Sequence, residues 1–309
     1  DNTRSCTAVG HGGEEFGGGA GYVVVTRDAG PAAAAAVDVV LSMDSPPEGV
    51  QLVLSVDDPK AGLLPKGAAR TDDNGRIRVT FTGDEARAFV AAVRNAAKLV
   101  ITPRPGGSDA AATVSLAGMS AALLKMDDVQ GRVGTTTALV RPGPKDAATV
   151  PAAPPAPVVV AQPMTELSGE APKAVPRETA EETGCPADSA FVGVGLSGGR
   201  TLWGTCTSAG AYNYFYDFYV VDGGKAEPVL FPLPPGTTGA GNSLTNPGLD
   251  EGGKTLWSFD KGRGLGDCGV AARWAWDGTA FHLVEYLVMD DCYGIPLDDW
   301  PTLWRSTTR

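Results

Sequence analysis

The chain has 309 residues, enough for two domains of ordinary size, and its 43% hydrophobic and 20% charged residues are the proportions of a folding globular protein, not a disordered one. Acidic residues outnumber basic ones by 36 to 25, and a net charge of -11 repels phosphate backbones and anionic lipid surfaces, so nucleic acid is excluded as an expected partner. Asp38, Pro155 and Gly195 interrupt the most apolar stretches well short of the roughly 18 residues a membrane-spanning helix needs, so no membrane span is expected. The chain opens Asp1-Asn2-Thr3-Arg4 without a basic and apolar leader, and an exported protein is expected here in processed form.

Residues 22 to 56 read as strands. Val37, Val39, Leu41 and Met43 alternate with other residues, as do Val50, Leu52, Leu54 and Val56, and the turn Ser45-Pro46-Pro47-Glu48-Gly49 separates the two runs. A hairpin follows around Asp72-Asp73-Asn74-Gly75, where Asn-Gly suits a tight turn. Asp84 is placed to cap a helix in which Ala86, Phe89, Val90, Val93 and Ala97 recur at helical spacing, before a strand at Leu99-Val100-Ile101. A second helix is expected from about 117 to 130, with Met119, Ala122, Leu123 and Met126 on one face.

Ten of the 24 prolines lie between 141 and 186, which predicts an extended linker resting on one or both domains. Beyond it the chain carries all six tryptophans and six of its seven tyrosines. Gly199-Arg200-Thr201-Leu202-Trp203 returns as Gly253-Lys254-Thr255-Leu256-Trp257, a weak repeat of about 54 residues. Two copies cannot close a propeller, so a sandwich or a stack of meanders is the better expectation. The fold class is therefore mainly β with minor α. A β-rich domain with two helices spans 1–140, an ordered Pro/Ala-rich linker spans 141–183, and a disulfide-bonded antiparallel domain with a weak two-fold repeat spans 184–309.

The five cysteines stand at 6, 185, 206, 268 and 292 without a close pair, and His11 and His282 are the only histidines, which does not suit a zinc site. Disulfides Cys185–Cys206 and Cys268–Cys292 would close loops of about 20 to 25 residues, each worth about 3 kcal/mol on the chain-entropy argument. Other pairings are compatible with the sequence, and one cysteine, Cys6 in this reading, is left over. Persistent bridges point outside the reducing cytosol.

Gly195-Leu196-Ser197-Gly198-Gly199 matches the nucleophile-elbow pattern, with His282 following in the order of a hydrolase triad, but the residues after Ser197 continue as a strand instead of a helix. A glycine turn is the expected structure. Gly264-Leu265-Gly266-Asp267-Cys268-Gly269 fails the phosphate-loop context for the same reason, and the glycine-rich segment from Gly10 to Gly19 likewise reads as a loop. His282 is expected buried and hydrogen-bonded, His11 without an evident partner. Asp290-Asp291 and Asp298-Asp299 do not follow a calcium-loop spacing and are read as solvated turn carboxylates. Neither metal nor cofactor is expected. Trp300 and Trp304 are expected to plug a core. In Tyr212 to Tyr219, alternation sends Tyr212, Tyr214, Tyr216 and Phe218 to the core and leaves Asn213, Phe215, Asp217 and Tyr219 as a candidate face for a sugar or a protein, unless the linker covers it through Val158-Val159-Val160.

The stretch Ser115-Leu116-Ala117-Gly118-Met119-Ser120-Ala121-Ala122-Leu123, continuing through Met126-Asp127-Asp128-Val129-Gln130-Gly131-Arg132-Val133-Gly134-Thr135, resembles a family of exported proteobacterial proteins without an assigned function. The start Asp1 to Cys6, Gly210-Ala211-Tyr212-Asn213, Gly266-Asp267-Cys268-Gly269, Trp276-Asp277-Gly278 and Trp300-Pro301-Thr302-Leu303-Trp304-Arg305 are similar to it too. The first domain is more distantly similar to the invasion-associated locus B proteins. The resemblance implies a periplasmic or secreted protein, and a cysteine upstream of Asp1 that would pair with Cys6. It carries no catalytic residues. The expected function is therefore a non-enzymatic envelope module for a protein or glycan partner. A hydrolase of cell-wall or extracellular polymer and an enzyme inhibitor are the alternatives.

Overall fold

The computed structural model describes residues 1–12, 21–57, 69–105 and 112–309, so most of the glycine-rich segment, Gly13 to Gly19, lies outside the described residues. The protein is mainly β with minor α, its sheets almost entirely antiparallel. It divides into two units. One holds Asp1, Thr3–Pro155 and Tyr293–Pro301, the other Asn2, Ala156–Cys292 and Thr302–Arg309.

In the first unit, β1 (Cys6–His11), β2 (Gly21–Arg27), β3 (Ala35–Ser42), β4 (Gln51–Val56), β5 (Ala69–Thr71) and β6 (Arg76–Thr82) precede helix α1 (Asp84–Val93); β7 (Lys98–Arg104), β8 (Ala112–Ser115) and helix α2 (Met119–Val129) follow. Five strands form one sheet in the order β1-β2-β3-β6-β5 and three form another, β4-β7-β8. The proline turn between β3 and β4 thus carries the chain from one sheet to the other. Alternation works as expected: Val37, Val39 and Leu41 are fully buried, and Leu52, Leu54 and Val56 nearly so, in one core shared by both sheets. Helix α1 adds Ala86, Phe89, Val90 and Val93 to that core, the i, i+3, i+4, i+7 stripe of its sequence. Its cap differs from expectation. Gly83, at φ 55°, occupies the N-cap, while Asp84 is the first helical residue and turns its carboxylate to Arg87, where it complements the helix dipole. At the 72–75 turn the Asp72 carboxylate accepts from the N–H groups of Asn74 and Arg76, and Gly75 alone takes the positive φ of 74°.

The second unit contains β9 (Val158–Val159), β10 (Thr165–Leu167), helix α3 (Ala180–Thr183), β11 (Phe191–Gly195), β12 (Thr201–Ala209), β13 (Tyr214–Asp222), β14 (Lys225–Pro228), β15 (Ser243–Thr245), β16 (Gly248–Leu249), β17 (Leu256–Lys261), β18 (Gly269–Trp276), β19 (Phe281–Met289), β20 (Thr302–Arg305) and β21 (Thr307–Thr308). Two meanders make it: β10-β11-β12-β13-β14, with β15 also on β13, and β16-β17-β18-β19-β20. Each copy of the sequence repeat leads into an inner strand of its meander, β12 in one and β17 in the other, and the Leu of each, Leu202 and Leu256, is fully buried in the common core. Phe218, Phe231, Trp274 and Phe281 fill that core from both sheets, so the sandwich expectation stands. Disulfides join Cys185 to Cys206 and Cys268 to Cys292, the pairs expected, and Cys6 is a free, half-buried thiol whose pKa burial raises.

The proline-rich stretch is pinned by backbone hydrogen bonds. In the first unit Thr136 N–H donates to Lys145 C=O and Lys145 N–H to Gly134 C=O. In the second, β9 pairs with β21 in parallel, Gln162 N–H donates to Trp276 C=O and Met164 N–H to Gly253 C=O. Order in this segment follows from donors and acceptors being met, since proline itself can only accept.

Candidate functional site

The face expected to bind is divided by the fold. Asn213 is a clasp: its side-chain N–H donates to the Asp260 carboxylate at 3.1 Å and to Lys261 C=O at 2.9 Å, and its oxygen accepts from Lys261 N–H and from Asn246. Asn246, held at a left-handed φ of 45° before Pro247, also ties Tyr212 and Phe259. Asp217 accepts from the Ser243 hydroxyl of β15, and Phe215 is half-buried opposite Thr245. Tyr219 packs with Leu167 and Phe191 around Ala171, Val175, Trp203 and Val221. The linker does reach this strand, through Ala171 and Val175, whereas Val158 and Val160 stay exposed. Tyr216 and Phe218 are buried and Tyr214 is half-buried, but Tyr212 is exposed, because β13 begins only at Tyr214.

Ser197 lies in a turn between β11 and β12 in which Gly198 and Gly199 both take φ 75°. Its hydroxyl accepts from the Trp276 indole N–H at 3.2 Å. His282 is exposed, not buried as expected, because it sits one residue from the hairpin tip, on the face opposite Phe281 and Leu283. Its Nε2 lies 2.8 Å from the Asp277 carboxylate, which only accepts, so Nε2 carries a proton. Burial alone would raise the Asp277 carboxyl. The N–H groups of Ala280 and Thr279, the Thr279 hydroxyl and His282 outweigh it and hold the group well below the usual aspartate range. Serine and histidine are thus each engaged with a different partner. The Gly264–Gly269 run leads into strand β18 without a helix, and Gly269 at φ 127° approaches Asp260 C=O too closely for any side chain.

Other sequence candidates become structural. His11 stacks on Tyr293 at 3.8 Å between ring centres. Asp299, read as a solvated carboxylate, accepts from Tyr22 at 2.7 Å and Arg78 at 2.6 Å, with its side chain 10% exposed. Arg78 also pairs with Asp38 at 3.0 Å. Trp300 is buried and donates to Ile295 C=O; Trp304 is half-buried against the sandwich core. In the stretch that carries the resemblance, Gly118 caps α2 at φ 82° and Leu123 and Met126 enter the core. Asp127, Gln130 and Arg132 are fully buried with Arg27, every side chain hydrogen-bonded: Asp127 to Arg27 and to the N–H groups of Leu139 and Val140, Gln130 to Arg27 and to Arg4 C=O. That motif encodes a polar core. Among the described residues, no group of three or more His, Cys, Asp or Glu is placed to hold a metal.

A concavity belongs to the second unit. It is an open cleft of about 490 Å³. One wall is the β13–β14 hairpin, whose register puts Val220, Asp222, Lys225 and Glu227 on one face; the other is Arg200 with the β18–β19 tip. The Arg200 guanidinium lies 5.1 Å over the Trp276 ring and donates to Gly278 C=O, which fixes it there. Leu230, 61% exposed, adds an apolar contact. Both carboxylates stand on the same wall with Lys225 between them in sequence, and none lines the facing wall. Sequence reasoning missed Arg200, although its place in the repeat, beside Leu202 and Trp203, was a usable signal.

The comparisons with known proteins agree with one another. Residues 1–307 match the family described as "Protein of unknown function (DUF1176)". Over 215 residues the chain is 36% identical to the Escherichia coli (strain K12) protein named "Uncharacterized protein YpfG", covering 62% of this chain and 59% of that protein's length. No solved structure matches. With nearly its whole length matched, the chain belongs to the DUF1176 family of proteins of unknown function.

Proposed function

We propose that this protein is an exported, non-enzymatic binding module of the cell envelope, and that it holds a segment of a partner protein in the Arg200–Leu230 cleft. Two disulfides with short loops support a compartment outside the reducing cytosol, and no helix among the described residues is long and apolar enough to cross a membrane. The observation that carries the binding role is the cleft's wall chemistry. Both charge signs stand beside an exposed leucine, a pattern that complements a peptide segment of mixed character. A sugar is the weaker fit, since Trp276 and Phe281, the rings of the cleft, are 2% and 3% exposed and offer little face for stacking. Chemistry is disfavoured because Ser197 and His282 are engaged apart from each other and the two carboxylates share one wall, where they cannot flank a scissile bond.

The test is affinity capture from an envelope extract with the wild-type chain and with a Lys225→Glu/Leu230→Ser variant, alongside fractionation of cells. Wild-type capture of a discrete protein that the variant loses, at unchanged melting temperature, is the expected result. Equal capture by both moves the site elsewhere. Recovery of the chain in the cytosol with reduced thiols overturns export.

A further inference from the structure

Strand β9 is paired on one side. There Thr307 N–H donates to Pro157 C=O, Arg309 N–H to Val159 C=O and Ala161 N–H to Arg309 C=O, the ladder of its parallel register with β21. Backbone groups alternate in direction along a strand, so the N–H and C=O of Val158 and Val160 turn to the opposite edge. No strand among the described residues pairs with that edge. The side chains alternate too: Val159 is 7% exposed, whereas Val158 and Val160 share the outer face at 58% and 48% exposed. Pro157 does not blunt the edge, because it faces β21. Nor does charge guard it, since no charged residue stands between Asp146 and Glu166.

Charge narrows the occupant to a second copy of the chain. Two chains of net charge -11 repel, and a two-fold contact brings the same patch of each together, so copies meet at least cost where that patch is uncharged. The run 147–165 meets this condition. An antiparallel pair centred on Val159 sets Val158 opposite Val160 of the partner subunit and repeats the match across the axis. Each match exchanges both backbone hydrogen bonds and places β-branched side chains side by side. Downstream the ladder stops, because Gln162 N–H already donates to Trp276 C=O. We propose that the chain forms a two-fold dimer by edge-to-edge pairing of β9. So short a ladder buries far less than the roughly 1,200 Å² of a stable interface, which makes the dimer weak and reversible, with a Kd of about 0.1–1 mM. The inference stands on residues other than those of the Arg200 cleft and does not depend on the partner held there.

Sedimentation of the full chain between about 10 μM and 1 mM is expected to show a reversible shift from monomer to dimer. Over the upper part of that range, hydrogen exchange of the Val158 and Val160 amides is expected to slow about twofold, while that of Val159, which faces β21, stays the same. The double variant Val158→Lys/Val160→Lys sets lysines opposite each other in the pair, and it is expected to weaken dimerisation about tenfold with the melting temperature of the monomer unchanged. A chain that stays monomeric, a dimer indifferent to the two lysines, or a dimer whose Val158 and Val160 amides exchange as in the monomer overturns the proposal. Protection of those amides by an envelope extract, with the chain itself monomeric, assigns the edge to a foreign strand and overturns it as well. Sedimentation and amide exchange of the wild-type chain are decisive even if the variant folds poorly.

Discussion

Arg27 and Asp127 meet at 2.6 Å with side chains 1% and 0% exposed, tying β2 to the end of α2 across 100 residues of sequence. Asp127 spends its other oxygen on the N–H groups of Leu139 and Val140, so one carboxylate closes both the helix end and the loop that follows. Removing it leaves a buried guanidinium and two backbone donors without their acceptor. Asp127→Ala is expected to destabilise the first unit by about 3–5 kcal/mol, whereas Lys125→Ala, at a solvated pair on the same helix, costs under about 1 kcal/mol. Urea denaturation of the two variants checks this, and equal midpoints would show the buried pair to be dispensable.

The two disulfides close loops with sequence separations of 21 and 24 residues. Replacing either pair by serines is expected to cost about 3 kcal/mol, the loop-closure entropy regained by the unfolded chain. Melting curves of the two double variants should show similar losses. A variant matching the wild type would mean that its bridge constrains nothing in the unfolded ensemble.

Asp277 supplies an acid-sensitive contribution. Its folded pKa is depressed below the ordinary 3.8 by the hydrogen bonds it accepts, so the stabilisation is complete above that value and is lost as pH falls through the folded pKa. Asp72 and Asp250, also depressed, act in the same direction. The melting temperature of the wild type is expected to drop more steeply below about pH 4 than that of Asp277→Asn. Parallel acid limbs would remove Asp277 from this role.

Ser197→Ala tests the hydrolase reading directly. The hydroxyl's visible duty is to accept from Trp276, so the variant should lose about 0.5–1.5 kcal/mol of stability, and any ester hydrolysis by the preparation should persist unchanged. Disappearance of esterase activity in a folded variant would make the serine a nucleophile.

Tyr219 and Phe215 separate fastening from binding. Tyr219 contacts the cluster built on Ala171 and Val175, so Tyr219→Ser is expected to cost about 2 kcal/mol, with the 165–177 segment becoming sensitive to protease. Partner capture lost at unchanged stability would instead return Tyr219 to a binding face.

Local features were legible in the sequence because they depend on near neighbours. Val37, Val39 and Leu41 had to share a face once the segment was extended, and Leu202 and Leu256 point inward for the same reason. The disulfide pairs followed from short loop closure. The buried status of Asp127 and Arg132 was not legible, since a charged residue is buried only where the rest of the chain supplies its partners. Asp299 shows this most clearly: its partners Arg78 and Tyr22 lie 221 and 277 residues away, and nothing near it in sequence distinguishes it from the solvated Asp298. Arg200 over Trp276, and Asn213 holding Asp260, likewise exist only because two meanders face each other. Periodicity specifies which face of each strand is buried, but the choice of the opposite sheet is made by packing, and packing is what converges these side chains.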